Sequence, residues 1–155
     1  MKDIRILCVG KVREKFFADG IDEALKSIRN SCPVSILECP DEATPDNASP
    51  AQERLIREKE GARILSHIRE GDYVIALSID GRHYDTDQLH RHLSKIRERI
   101  SGSLIFVIGG SLGLSDQVIK RADEKLSFSA LTFPHQLMRL MLADQIASWT
   151  SLRRL

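Results

Sequence analysis

Two short stretches hold the residues best suited to chemistry. The first is Ile105-Phe106-Val107-Ile108-Gly109-Gly110-Ser111-Leu112-Gly113-Leu114-Ser115, a wholly apolar run that empties into glycines. Glycines directly after a parallel strand lie at its carboxyl end, the rim where open α/β sheets bind ligands. Lacking Cβ, they let a ligand approach the backbone. The spacing is neither that of a phosphate loop, since no Lys-Ser/Thr pair follows, nor GxGxxG. On spacing alone, GGxxG fits a plain strand-to-helix turn as well as a ligand loop. The second stretch is Leu126-Ser127-Phe128-Ser129-Ala130-Leu131-Thr132-Phe133-Pro134-His135-Gln136-Leu137-Met138-Arg139. Small, hydroxylic and apolar residues lead to a proline that opens a helix. Such a loop offers backbone N–H and C=O groups to a purine and apolar side chains to its faces. His135 and Arg139 are one helical turn apart and can serve one ligand, although a histidine there also suits a simple helix-terminal hydrogen bond.

Other titratable residues offer less. The segment with His90, Arg91, His92, Lys95, Arg97 and Arg99 reads as a solvated helix face or a set of phosphate contacts. His90 and His92 diverge on a helix, a poor spacing for a metal, and His67 stands alone. No HExxH, no Ser-His-Asp order and no carboxylate pair can be argued from spacing, and no metal is expected. Cys8, Cys32 and Cys39 are odd in number and show no CxxC pattern, against both a disulfide framework and zinc.

The elements that must position these stretches follow from periodicity. Ile4–Val9 is a short buried strand. Glu14–Asn30 is helical, with Phe17, Ile21, Leu25 and Ile28 on one stripe. Pro33–Cys39 is a second strand, followed by a polar loop, Pro40 to Pro50, expected to be mobile. Ser49-Pro50 opens a helix running to about Arg69, with Leu55, Ala62, Leu65 and Ile68 toward the core. Asp72–Ile79 is a strand ended by an Asp80-Gly81 turn. Thr86–Ile100 is a helix capped by Asp85 or Thr86, and Leu104–Ile108 is a fully apolar strand. Ser115 caps a short helix to about Asp123, Leu126–Ser129 is a last short strand, and Pro134 opens the final helix. Strand and helix alternate and the strands are apolar on both sides. The expected class is therefore α/β, a mostly parallel sheet with helices on both faces, in one domain spanning 1–155. The final helix carries Met138, Leu142, Gln145 and Trp149 on one stripe and further apolar residues elsewhere, so it must be covered on more than one side, either by its own domain or by a second subunit.

With 155 residues and a formal charge of +1, the chain lacks the bulk charge of a free nucleic-acid binder. A binder of this balance must concentrate its charge or act within an assembly. The amino-terminal stretch alternates charge with apolar residues, unlike a signal peptide, and no run is long enough for a membrane span. A cytoplasmic protein is expected.

Both stretches, in this order, resemble the ribosomal RNA large subunit methyltransferase H family of SPOUT-class enzymes. The likeness extends to Ile6-Leu7-Cys8-Val9-Gly10-Lys11, Ile36-Leu37-Glu38-Cys39-Pro40-Asp41-Glu42, Glu58-Lys59-Glu60-Gly61 and Leu77-Ser78-Ile79-Asp80-Gly81. The resemblance implies a C-terminal trefoil knot, a rare exception to unknotted topology. It also implies a homodimer, S-adenosylmethionine as methyl donor, and methylation of a ring nitrogen of a pseudouridine in large-subunit rRNA on the assembled ribosome. Carried over by position, it assigns the donor site to Leu77, Gly109, Gly110, Phe128, Ser129, Ala130, Leu131, Thr132 and Phe133. His135 becomes a candidate base, and Arg139 a candidate holder of a phosphate or of developing negative charge. The chain departs from the family at its last residues, Asp144 to Leu155, where the family's Pro-Tyr-His tail is not found. In the family that tail lies near the donor. The alternative that follows is a cofactor-binding, ribosome-associated module with lost or reduced catalysis.

Overall fold

A computed structural model describes residues 1–28 and 32–151. In chain order the elements are β1 (Ile4–Val9), α1 (Lys15–Lys26), β2 (Val34–Cys39), α2 (Pro50–Leu65), β3 (Tyr73–His83), α3 (Thr86–Arg99), β4 (Leu104–Ile108), α4 (Asp116–Arg121), β5 (Glu124–Ser127) and α5 (His135–Ser151). Among the described residues the strands form one five-stranded sheet in the order β2-β1-β4-β3-β5, every pairing parallel. The expected α/β class is thus observed. The helix end placed at Asn30 lies outside the described residues.

Alternation along the central strands sorts the core into two layers. Ile4, Ile6 and Cys8 of β1 and Leu104, Phe106 and Ile108 of β4 pack with Leu89, Leu93 and Ile96 of α3 and Leu142, Ile146 and Trp149 of α5. Leu7, Val9, Ile105 and Val107 face the other way, onto Ile64 of α2 and Val118 of α4. A strand buried on both faces must be apolar throughout, which explains why β4 reads as an unbroken run. Local chemistry fixes the helix starts. Ser49 and Asp85 each form a capping box, with Gln52 and Gln88 respectively, and the Ser115 hydroxyl accepts from Val118 N.

Two expectations need correction. Asp80-Gly81 does not end the strand: β3 continues to His83, and its pairing with β5 slips so that Leu77 and Arg82 both oppose Leu126. The four residues between them bulge outward, and the glycine is demanded by crowding, since a Cβ at Gly81 would stand 2.7 Å from the Leu126 backbone. On α2 the buried residues are Ile56, Glu60, Gly61 and Ile64; of the expected set, Leu65 and Ile68 pack against the core, whereas Leu55 is 52% exposed and Ala62 is exposed too. A charged residue inside the buried set hid the true period. On α5, Leu142 and Trp149 are buried in this chain's own core, so that part of the stripe already has its cover. The loop after β2 is anchored at its start, where Arg63 Nη1 donates to Pro40 O at 2.8 Å and Arg63 pairs with Glu42.

Candidate functional site

Because all strands are parallel, their carboxyl ends share one rim, and a cleft of about 930 Å³ opens there. Three segments wall it. The end of β3 and its bulge supply Leu77, Ser78, Ile79 and Asp80; the turn after β4 supplies Gly109 to Leu114; the segment from Leu126 to Met138 closes the third side. Of the residues expected at a donor site, Leu77, Gly109, Gly110, Phe128, Ser129, Leu131, Thr132 and Phe133 line this cleft. Ala130 is exposed and is not among the lining residues.

The glycine turn is built by its own backbone. Gly113 N donates to Gly110 O at 3.1 Å, and Gly113 adopts φ +82°, the left-handed region that favours glycine. A Cβ on Gly109 would stand 2.9 Å from the Gly113 carbonyl carbon. Gly109 is therefore required by the fold of the loop itself, in addition to any ligand it admits. In the third wall, Ser127 Oγ donates to Ser129 O at 2.9 Å and Leu131 N donates to Ser129 Oγ at 3.0 Å. These bonds hold the loop open toward the cleft. Leu131, 69% exposed, projects from it.

Polar groups missed by the sequence reading sit on the bulge. Asp80 accepts from Lys125 Nζ at 2.6 Å and from the Ser78 hydroxyl, and the bond from Lys125 leads the effects that hold its carboxyl below the ordinary range. Only the β3–β5 register brings Lys125 to Asp80, and no local pattern announces that.

His135, at the first position of α5, stands where the large cleft meets a smaller pocket of about 220 Å³. Partial burial, reinforced by the Arg139 guanidinium, lowers its pKa, which leaves the imidazole neutral at pH 7. Arg139 occupies a different position from the one its spacing suggests. Its side chain is fully buried, donating through Nη1 to Glu38 Oε2 at 2.8 Å and through Nη2 to the Val9 and Gly10 carbonyls at 2.9 Å each. It clamps α5 to the ends of β1 and β2. The other four histidines lie elsewhere: His90 is buried in α3, His92 Nε2 meets the Glu124 carboxylate at 2.8 Å, and His67 and His83 are exposed.

The smaller pocket is lined by Val9, Gly10, Lys11, Arg13, Asp41, Glu42, Glu60, Gly110, Ser111, His135 and Gln136. Glu60 is 6% exposed, and its Oε2 has no hydrogen-bond partner among the described residues. Burial, with Asp41 beside it, pushes its carboxyl up to about 6.

Known proteins resemble this chain in sequence and in fold. A family model described as "Predicted SPOUT methyltransferase" matches residues 1–154. The chain is 48% identical over 144 residues to "Ribosomal RNA large subunit methyltransferase H" of Clostridioides difficile (strain 630), covering 93% of this chain and 91% of that protein. A protein of the same name from Clostridium botulinum (strain 657 / Type Ba4) is 47% identical over the same shares. Among solved structures, a probable methyltransferase from Bordetella pertussis Tohama I superposes with TM-score 0.57 at 11% identity, over 96% of this chain and 95% of that one. At that identity the superposition speaks for the fold alone. A matched family model over nearly every residue, together with near-half identity to its relatives, places the chain in the SPOUT methyltransferase family, among the ribosomal RNA large subunit methyltransferase H proteins.

Proposed function

We propose that this protein is an S-adenosylmethionine-dependent methyltransferase acting on a ring nitrogen of a pseudouridine in large-subunit rRNA. It works on the assembled ribosome, in the cytoplasm, as a homodimer whose C-terminal part is threaded as a trefoil knot. The observation that carries the reading is the large cleft at the strand ends, where the glycine turn, the β3 bulge and the segment before α5 converge. Its makeup suits the donor. Gly109 and Gly110 expose backbone, Leu77, Ile108, Leu126 and Met138 offer apolar faces to a purine, and Asp80 offers charge. Bound there, S-adenosylmethionine would supply an electrophilic methyl group.

The chain's own contribution is alignment of donor and acceptor, which is chiefly proximity work. Leu77, Gly109, Gly110 and the Phe128–Phe133 segment hold the donor. The neutral His135 imidazole at the junction hydrogen-bonds the acceptor or takes its proton. Arg139 is a positioning residue, fixing the start of α5 against the ends of β1 and β2. The relatives' names and identity across 93% of the chain favour an enzyme over a non-catalytic module. The ribosome as substrate accords with the charge of +1, because free RNA is held mainly through many phosphate contacts. A preformed ribosomal surface supplies orientation that charge does not.

Transfer of labelled methyl from S-adenosylmethionine to large subunits, compared with deproteinised rRNA in one enzyme batch, tests the reading. Transfer to subunits with little to naked RNA is expected. Absence of donor binding in calorimetry, or equal transfer to a short naked stem-loop, overturns it.

A further inference from the structure

The smaller pocket beside the donor cleft has a construction of its own. It shares Gly110, Ser111 and His135 with the cleft, so a group seated in one reaches the other. At about 220 Å³ against about 930 Å³ it takes a single planar ring, not a second nucleoside with its chain. Its deepest polar group is Glu60, turned inward from α2 where an apolar residue would have completed the stripe of Ile56 and Ile64. Burying a carboxylate without a partner is costly. Yet Oε2 has no hydrogen bond among the described residues, and it stands 3.0 Å from where a Cβ on Gly110 would be. The glycine at position 110 leaves the room that the carboxylate oxygen occupies.

The charges around Glu60 come from three sides. Asp41 and Glu42 approach from the loop after β2, Arg63 from its own helix, and Lys11, Arg13 and His135 across the pocket. The wall carries both signs, Lys11 and Arg13 against Asp41 and Glu42, with the free Glu60 acceptor at the base. An imide edge, in which one N–H lies between two carbonyls, uses the acceptor and the cationic donors together.

We propose that this pocket receives the imide edge of the acceptor pyrimidine and that the Glu60 carboxylate accepts the proton of the ring nitrogen being methylated. The inference rests on the reading of the adjoining cleft as the donor site. In the step, the ring nitrogen's electron pair forms the new N–C bond to the methyl carbon. The S–C bond breaks and its pair stays on sulfur, leaving a neutral thioether. The N–H proton passes to Glu60 Oε2, and His135 donates its N–H to a ring carbonyl. The raised Glu60 pKa makes it a stronger base than an ordinary carboxylate while leaving it ionised at neutral pH.

The test compares wild type, Glu60→Gln, Glu60→Asp and His135→Gln in the full chain, with S-adenosylmethionine affinity by calorimetry and methyl transfer to unmodified large subunits between pH 5 and 9. Wild-type transfer is expected to fall on the acid side with a midpoint near 6. Glu60→Gln is expected to keep donor affinity within about twofold, to lose roughly 10²-fold in transfer, and to lose the acid limb. Glu60→Asp recovers part of the rate and keeps the limb, and His135→Gln slows transfer but also keeps it. An acid limb that survives in Glu60→Gln and vanishes in His135→Gln gives the proton to His135 and overturns the proposal. Collapse of donor affinity in Glu60→Gln, with unchanged transfer at saturating donor, assigns the carboxylate to the donor's ammonium and also overturns it. A wild type that binds no donor removes the functional reading itself, and this inference with it.

Discussion

Arg139 and Glu38 stand 101 positions apart in sequence and 2.8 Å apart in space. Through this pair the final helix is bound to the carboxyl end of β2, and through the Val9 and Gly10 carbonyls to the end of β1. Arg139→Ala is expected to lower stability by about 2–4 kcal/mol in urea unfolding, because charge-assisted bonds to the buried Val9 carbonyl and the partly buried Gly10 carbonyl are lost together. Glu38→Gln, whose partner keeps its carbonyls, is expected to lose about 1 kcal/mol or less. Equal losses in the two variants would mean that the ion pair, not the carbonyl clamp, fixes α5.

Glu60 opposes folding at neutral pH. Its folded pKa is raised from 4.5 to about 6, so the proton-bound form is favoured in the native state. The associated stability is fully present below pH 4.5 and is lost as pH rises through about 6. Glu60→Gln is therefore expected to stabilise the protein at pH 8 by roughly 2 kcal/mol and to change little at pH 4. Urea midpoints at both pH values check this, and a stabilisation of equal size at both would show that ionisation is not its source.

Asp72 runs the opposite way. Burial alone would raise its carboxyl, but bonds from Arg69 N and Ser103 N, with the Arg5 charge, outweigh burial and hold the pKa below its ordinary value. Its contribution is present above the unfolded pKa of about 3.9 and is lost as pH falls through the lower folded value. Asp72→Asn is expected to cost stability at pH 7 and to flatten the acid side of the stability profile. An acid limb identical to wild type would remove Asp72 from it.

For the glycine turn, Gly109→Val is expected to abolish donor binding by displacing Gly113 and Leu114, against which its Cβ would press. Gly113→Ala, strained at φ +82°, is expected to cost about 1 kcal/mol. Normal donor affinity in Gly109→Val would take this turn out of the site.

If α5 also forms a subunit seam, its half-buried Met141 belongs to that seam and its buried Leu142 to the monomer core. Met141→Glu should shift sedimentation from dimer to monomer with the fold intact, whereas Leu142→Glu should unfold the chain. A monomeric wild type at micromolar concentration would end the proposal of a seam.

Much of this architecture was legible in the residues. β1 and β4 match their predicted bounds because a strand buried on both faces has no competing pattern, and the helix starts follow from Ser49, Asp85 and Ser115. The cleft's apolar and glycine residues were legible for the same reason, since they sit at the ends of such strands. What escaped depends on long-range geometry. The β3 bulge looks like a turn until β5 is laid beside it. Arg139 reads as a surface cation until Val9, Gly10 and Glu38 surround it. Glu60 reads as one more solvated charge on α2, and only the inward run of Ile56 and Ile64 on either side of it could have signalled otherwise.

The parallel sheet also makes the molecule easy to instrument. Every strand delivers its carboxyl end to the cleft rim, so the opposite rim is free of the proposed chemistry. Gly71 lies there, exposed just before β3, and a Cβ on it would meet nothing within 4 Å among the described residues. The natural thiols would not compete for a label: Cys8, Cys32 and Cys39 are all buried, and burial drives the Cys8 thiol up to about 12. A cysteine placed at Gly71 would thus accept a single fluorophore on the face away from the cleft, giving a handle for watching the protein arrive at and leave the ribosome without a reporter standing in the path of either ligand.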